Sequence, residues 1–144
     1  MKKILFICTG NYYRSRFSEY FFNDLAGKKG IKWEADSRGL NVRPESGNVG
    51  AISREVIKAL KPLGIQIDSA SLREPMQVKK TDLENADYVV AVDEVAHRPL
   101  MESQFPEWVD KIEYWLVKDL DESPDEPPLV QLQNKIELLL KKLD

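Results

Sequence analysis

The chain has 144 residues, 42% of them apolar and 31% charged, a size and balance that lets one domain bury a full core. Its 21 basic and 24 acidic residues leave a net charge of -3, without the basic excess that a nucleic-acid partner requires. The one cysteine excludes an internal disulfide and fits a reducing compartment, and the apolar run at residues 4–7 is too short for a signal core or a membrane span. These features predict one cytoplasmic domain over residues 1–144, a monomer or weak homodimer without nucleic-acid or membrane partners.

Residues 4–7 read as a buried strand, short and continuous, stopped by Thr9-Gly10-Asn11. The spacing of Phe17, Tyr20, Phe21 and Leu25 predicts a helix that Ser15 would cap and Gly27 would end. A second strand is expected at residues 31–35. Over residues 49–63 a helix carries Ile52, Val56, Ile57, Leu60 and Leu63 on one face and closes at Gly64. Residues 88–92 make the clearest strand, another falls at 112–117, and an amphipathic helix occupies 130–143. The stretch 121–128 holds three prolines and four acids and reads as a loop. Strands alternating with helices predict a three-layer α/β fold, a central four-stranded parallel sheet in flavodoxin-like order with helices on both faces. Ligands of such sheets bind beyond the carboxyl ends of the strands, and Cys8 falls there on the first strand.

The chemistry concentrates in Cys8-Thr9-Gly10-Asn11-Tyr12-Tyr13-Arg14-Ser15, between a strand and a helix N-terminus. Glycine, and asparagine more readily than most residues, can take the left-handed backbone that a tight loop needs. Such a loop turns its amides inward as an anion nest, and the helix behind adds the positive end of its dipole. The expected guest is a phosphate-like dianion, with Thr9, Gly10, Asn11, Tyr12, Tyr13 and Ser15 around it. A helix N-terminus and a nearby guanidinium favour the thiolate of a cysteine set between them. Arg14 brings a planar, permanently charged fork that binds two oxygens at once. Ser15 can donate its hydroxyl hydrogen to the sulfur. A cysteine with an arginine six positions on is weak evidence alone, because a lone cysteine is usually a small buried apolar residue. Strand, Gly, Asn, Arg-Ser and helix in register are what make it specific.

The run Phe6-Ile7-Cys8-Thr9-Gly10-Asn11-Tyr12-Tyr13-Arg14-Ser15 resembles the signature loop of the low-molecular-weight protein tyrosine phosphatases. Asp36-Ser37-Arg38-Gly39 is similar to the Ser-Ala-Gly stretch after that family's second strand. Residues 86–93 resemble its third strand and acidic end, and Tyr114-Trp115-Leu116-Val117-Lys118-Asp119 its approach to a general acid. The resemblance implies metal-independent hydrolysis of a phosphomonoester through a phosphocysteine on Cys8, with Arg14 holding the phosphoryl oxygens. It implies that Asp119 protonates the leaving oxygen and then deprotonates the water, and that Asn11 and Ser37 shape the loop. No cofactor is implied. The expected partner is a phosphorylated protein, phosphotyrosine foremost, or a small phosphate ester, with phosphoarginine fitting the same loop. The family has proline after its acid, whereas Leu120 and Asp121 follow here, which leaves Asp121 as the alternative acid.

Other readings stay open. An arsenate reductase on this scaffold would need an external thiol, since Cys8 has no second cysteine to resolve its adduct. A cysteine phosphocarrier would not need Arg14 or an acid, and a non-catalytic phosphate-binding module would need only the loop. The remaining conspicuous residues carry plainer expectations. His97 is assigned to surface or helix packing, and Trp33, Trp108 and Trp115 to packing. Arg38, Arg43 and Arg73 could meet a substrate phosphate but, as loop arginines, are expected to face water.

Overall fold

The computed structural model describes residues 1–43, 45–68, 72–119 and 126–144. The chain begins with strand β1 (Lys2–Cys8), helix α1 (Arg14–Lys29), strand β2 (Trp33–Gly39) and helix α2 (Arg54–Leu60). Then come helix α3 (Lys80–Asn85), strand β3 (Tyr88–Ala91), helix α4 (Glu94–Gln104), the two-residue strand β4 (Glu113–Tyr114) and helix α5 (Pro128–Leu143). The strands form one sheet in the order β2-β1-β3-β4, and every pairing is parallel. The expected architecture is therefore present, with β1 between two neighbours.

The side-chain alternation of β1 sorts the core into two layers. Ile4, Phe6 and Cys8 face a cluster that includes Phe17, Phe22 and Ala26 of α1, Val56 and Leu60 of α2, and Leu132, Ile136 and Leu139 of α5. Leu5 and Ile7 face the other way, onto Leu83 of α3 and Met101 of α4. The Phe6 ring lies 5.9 Å from both the Phe22 and Trp115 rings, edge-on to the former. Trp115 is buried and Trp33 and Trp108 pack against the two clusters, as expected of them. Among the described residues no helix is long and apolar enough to cross a membrane.

Several boundaries depart from the sequence reading. Helix α1 runs past Gly27, and its closing residue is Gly30, in the left-handed region at φ 67° with its N–H on the Gly27 carbonyl. Ser15 does not cap this helix: it lies inside the first turn, and its hydroxyl turns to Cys8. The second strand is displaced toward 33–39, because Ser37 turns inward to buried polar partners while Asp36 pairs with Arg38 at 2.9 Å. Helix α2 is shorter than expected and begins where the Ser53 hydroxyl accepts from Glu55 N–H. Helices α3 and α4 had no sequence counterpart. In α4, Pro99 lacks the N–H that would reach the Val95 carbonyl, and Val95 is exposed, so water can satisfy that carbonyl.

Candidate active site

Residues 9–13 connect the end of β1 to the start of α1. Backbone pairing just beyond β2 fixes the β1 end of this loop: Leu40 N–H donates to the Cys8 carbonyl and Asn41 N–H to the Thr9 carbonyl, both at 2.9 Å. The first backbone bond of α1 runs from Phe17 N–H to the Tyr13 carbonyl at 3.0 Å. The amides before Phe17 therefore have no partner within the helix and remain for an outside acceptor, together with the helix dipole.

Asn11 holds the shape of the loop. It is the one non-glycine residue at positive φ, 52°, among the described residues, and it is fully buried. Its amide nitrogen donates to Ser15 Oγ at 2.9 Å and Ser37 Oγ at 3.0 Å, and its amide oxygen accepts from Arg73 Nη1 at 2.9 Å and Met76 N–H at 3.0 Å. All the hydrogen-bonding capacity of the amide is used, so a buried polar group that would otherwise be costly becomes a four-way tie.

The direction of each hydrogen follows from these bonds. Ser15 Oγ accepts from Asn11, so its one hydrogen is left for Cys8 Sγ, 2.9 Å away. Ser37 Oγ likewise accepts from Asn11 and donates to Glu19 Oε1 at 2.5 Å. Arg73 Nη2 bonds Glu19 Oε1 at 3.2 Å, the Ser37 carbonyl at 2.8 Å and Ser37 Oγ at 3.1 Å. Burial raises the Glu19 carboxyl above its ordinary range, against the pull of Ser37 and Arg73. Sequence reasoning missed Glu19 and Arg73 as parts of the site. The expectation that Arg73 and Arg38 face water is wrong: the Arg38 side chain is only 12% exposed, between Asp36 and Asp82.

Arg14 is held from the opposite side. Its side chain is 5% exposed, and Nη1 reaches Asp93 Oδ2 at 3.0 Å and the Val117 carbonyl at 2.8 Å. Nη2 lies 3.8 Å from Asp119 Oδ2, whose side chain is half exposed. Asp93 also caps α4 by accepting from Ala96 N–H at 3.3 Å. One carboxylate thus sets both the start of a helix and the pose of the guanidinium.

These groups meet at a cavity of about 240 Å³ lined by Cys8, Thr9, Gly10, Tyr12, Tyr13, Arg14, Asn48, Ser53 and Asp119. Seven of those nine are residues singled out from the sequence; Asn48 and Ser53 were not. Asn11, Ser15 and Ser37 stand behind the cavity wall rather than on it. The Tyr12 hydroxyl donates to the Val49 carbonyl at 2.7 Å, fixing that ring as one side of the opening. The Tyr13 hydroxyl is pushed up to about 12 by burial and then by the Asp119 and Glu55 carboxylates, so it stays protonated. Asp121, the alternative acid, lies outside the described residues. A wider groove of about 840 Å³ opens beside this cavity, shares Thr9, Gly10, Asn48 and Asp119 with it, and has Arg43 on its wall.

Gly39 is another residue packed against the loop that spacing alone did not mark. A Cβ there would stand 2.6 Å from the Thr9 carbonyl oxygen and 3.0 Å from Asn11 N, closer than real contacts allow. Gly39→Ala is expected to destabilise the protein by about 1–3 kcal/mol, through overpacking against backbone. It should also lower turnover about 10²-fold by shifting the loop. A thermal melt together with a steady-state assay checks both; an unchanged melting temperature and rate would mean the contact relaxes freely.

A family model described as low molecular weight phosphotyrosine protein phosphatase matches residues 3–136. The chain is 37% identical over 100 residues to the low molecular weight protein-tyrosine-phosphatase YfkJ of Bacillus subtilis, covering 65% of this chain and 57% of that protein. The aligned part thus spans little more than half of that relative's length. It is 30% identical over 111 residues to a protein-arginine-phosphatase of the same organism, covering 76% of this chain and 67% of that protein. In structure it is similar to a low molecular weight protein tyrosine phosphatase from T. tengcongensis, with a TM-score of 0.80 and 33% identity. That likeness covers 99% of this chain and 100% of the other.

Proposed function

Because the chain belongs to the low molecular weight phosphotyrosine protein phosphatase family, we propose that it hydrolyses phosphomonoesters, with phosphotyrosine in protein as the principal substrate class. The observation that carries this reading is that the Cys8 thiol, the Arg14 guanidinium and the Asp119 carboxylate line one cavity, over the amides of a helix N-terminus. The Cys8 thiolate attacks phosphorus in line with the leaving oxygen; a P–S bond forms as the P–O bond breaks. Asp119 gives its proton to the departing oxygen. The amides of residues 9–15 and the Arg14 fork hold the equatorial oxygens, where charge must be stabilised. Water then attacks the phosphocysteine, Asp119 takes the water's proton, and the P–S bond breaks to restore the thiolate and release inorganic phosphate. Ser15 supports the sulfur in both steps by donating to it, and Asn11 and Ser37 keep Ser15 pointed that way. The rings of Tyr12 and Tyr13 suit an aryl leaving group. The work takes place in the cytoplasm, where a lone thiol stays reduced.

Leaving-group dependence tests the assignment. A nitrophenolate departs with little help, whereas phenolate needs protonation, and a positioned acid is worth roughly 10²–10⁴-fold. Asp119→Asn should therefore damage phenyl phosphate turnover far more than nitrophenyl phosphate turnover, while Asp121→Asn leaves both near wild type. A reversed pattern would transfer the role to Asp121. A wild-type enzyme that binds phosphate but turns over neither ester would sink the phosphatase reading.

A further inference from the structure

His97 has no part in the mechanism above, yet it is fully buried on α4 and touches the nucleophile loop. Its Nδ1 accepts from Asp93 N–H at 3.2 Å, and its Nε2 lies 3.0 Å from Thr9 Oγ1. An Nδ1 that accepts must be unprotonated, so in the neutral ring the hydrogen is on Nε2 and points at Thr9. Burial, with the Arg14 charge adding to it, pushes the imidazole down to about 4, so the ring is neutral under ordinary conditions. The tautomer is fixed by backbone, and the ring is a donor only toward Thr9.

The consequence falls on Thr9. Its hydroxyl oxygen is committed as an acceptor, which leaves its single hydrogen for another acceptor. No group among the described residues takes it. Thr9 follows Cys8 directly and lines both the cavity over the sulfur and the wider groove, as Asp119 does. Thr9 thus stands where the two meet, and its hydroxyl hydrogen is left without an acceptor among the described residues.

We propose that His97 is a positioning residue that aims the Thr9 hydroxyl into the site, making Thr9 a side-chain donor to the phosphoryl ester on its leaving-group side. This rests on the phosphatase reading. The same α4 terminus then orients two donors at once, Arg14 through the Asp93 carboxylate and Thr9 through the His97 ring.

The test is a double-mutant cycle on Thr9→Val and His97→Leu, read by kcat/KM for phenyl phosphate and by vanadate affinity from tryptophan fluorescence. Vanadate carries an apical oxygen on the leaving-group side, so it reports the contact even if turnover fails. Each single variant should lose about tenfold in both readouts, the value of one hydrogen bond to a charged acceptor. The double variant should lose about tenfold as well, not a hundredfold, because both substitutions remove the same contact. His97→Gln, which keeps a donor, should fall between His97→Leu and wild type. The proposal is overturned if Thr9→Val keeps wild-type kcat/KM and vanadate affinity, or if His97→Leu costs as much in the Thr9→Val background as alone. Thr9→Val is close to isosteric, so it decides the matter even if His97→Leu does not fold. A wild type that turns over no ester but shows the vanadate pattern would reject the phosphatase reading and, with it, the leaving-group role, leaving only a contact to a bound oxyanion.

Discussion

Cys8→Ser is expected to lower kcat toward nitrophenyl phosphate by roughly 10⁴–10⁶-fold while leaving inorganic phosphate binding within about tenfold of wild type. Cys8 is buried, at 3% exposure, and its sulfur accepts one defined hydrogen bond, from Ser15 at 2.9 Å. A thiolate is a strong nucleophile and a good leaving group from phosphorus, and an alcohol at the same place is neither without a base to deprotonate it. Among the described residues lining the cavity, Asp119 is the one carboxylate, and its proposed work is at the leaving oxygen. The affinity for phosphate, by contrast, is proposed to come from the loop amides and Arg14, which the substitution leaves in place. Calorimetric titration of phosphate beside the assay separates the two. A serine variant that keeps a hundredth of the wild-type rate would remove Cys8 from the mechanism, and one that loses phosphate binding altogether would show that the sulfur shapes the loop.

Arg14→Lys should cost roughly 10²–10³-fold in kcat, the scale for losing a preorganised donor to transition-state charge. The positive charge survives, so a point-charge account of the site would predict a small effect. Geometry argues otherwise. Nη1 of Arg14 is tied to Asp93 at 3.0 Å and to the Val117 carbonyl at 2.8 Å, which sets the plane of the guanidinium before any substrate arrives. Nε and Nη2, the latter 3.8 Å from Asp119 Oδ2, are then the edge proposed to meet two oxygens of one phosphoryl group. An ammonium offers one centre, and pairing it with Asp93 turns it away from the substrate. The loss should fall more on kcat than on KM, because the equatorial oxygens gather charge as the reaction proceeds. Equal losses in kcat and in ground-state phosphate affinity would mean that Arg14 only attracts anions.

How far the site was legible follows from where its parts lie in the chain. The loop from Cys8 to Ser15 is contiguous, so strand, turn, arginine and helix start could be read together. The parallel sheet was legible too, since residues 4–7 and 88–92 are apolar without interruption, as strands covered on both faces must be. The ties that hold the loop come from elsewhere. Glu19, Ser37 and Arg73 converge on Asn11 only through the packing of α1, β2 and the segment before Val78. None of those side chains is apolar, so none adds to a hydrophobic pattern of helix or strand period. The resemblance supplied Ser37 but gave no reason for the arginine, which was assigned to water as loop arginines usually are. His97 was read as packing, and its burial on α4 agrees, but its bond to Thr9 spans 88 positions and left no local trace. Helix α4 was overlooked because Pro99 stands inside it.

The placement of β1 bears on how the protein loses activity. This strand is hydrogen-bonded to β2 on one side and β3 on the other, and its last residue, Cys8, is the proposed nucleophile. Amides in such a strand exchange with solvent only when the whole domain opens, whereas amides at loops and helix ends exchange by local fraying. The reactive atom thus belongs to the last part of the molecule to come apart. Heat inactivation and global unfolding should therefore trace one curve, with no temperature interval in which a folded core carries a disordered nucleophile.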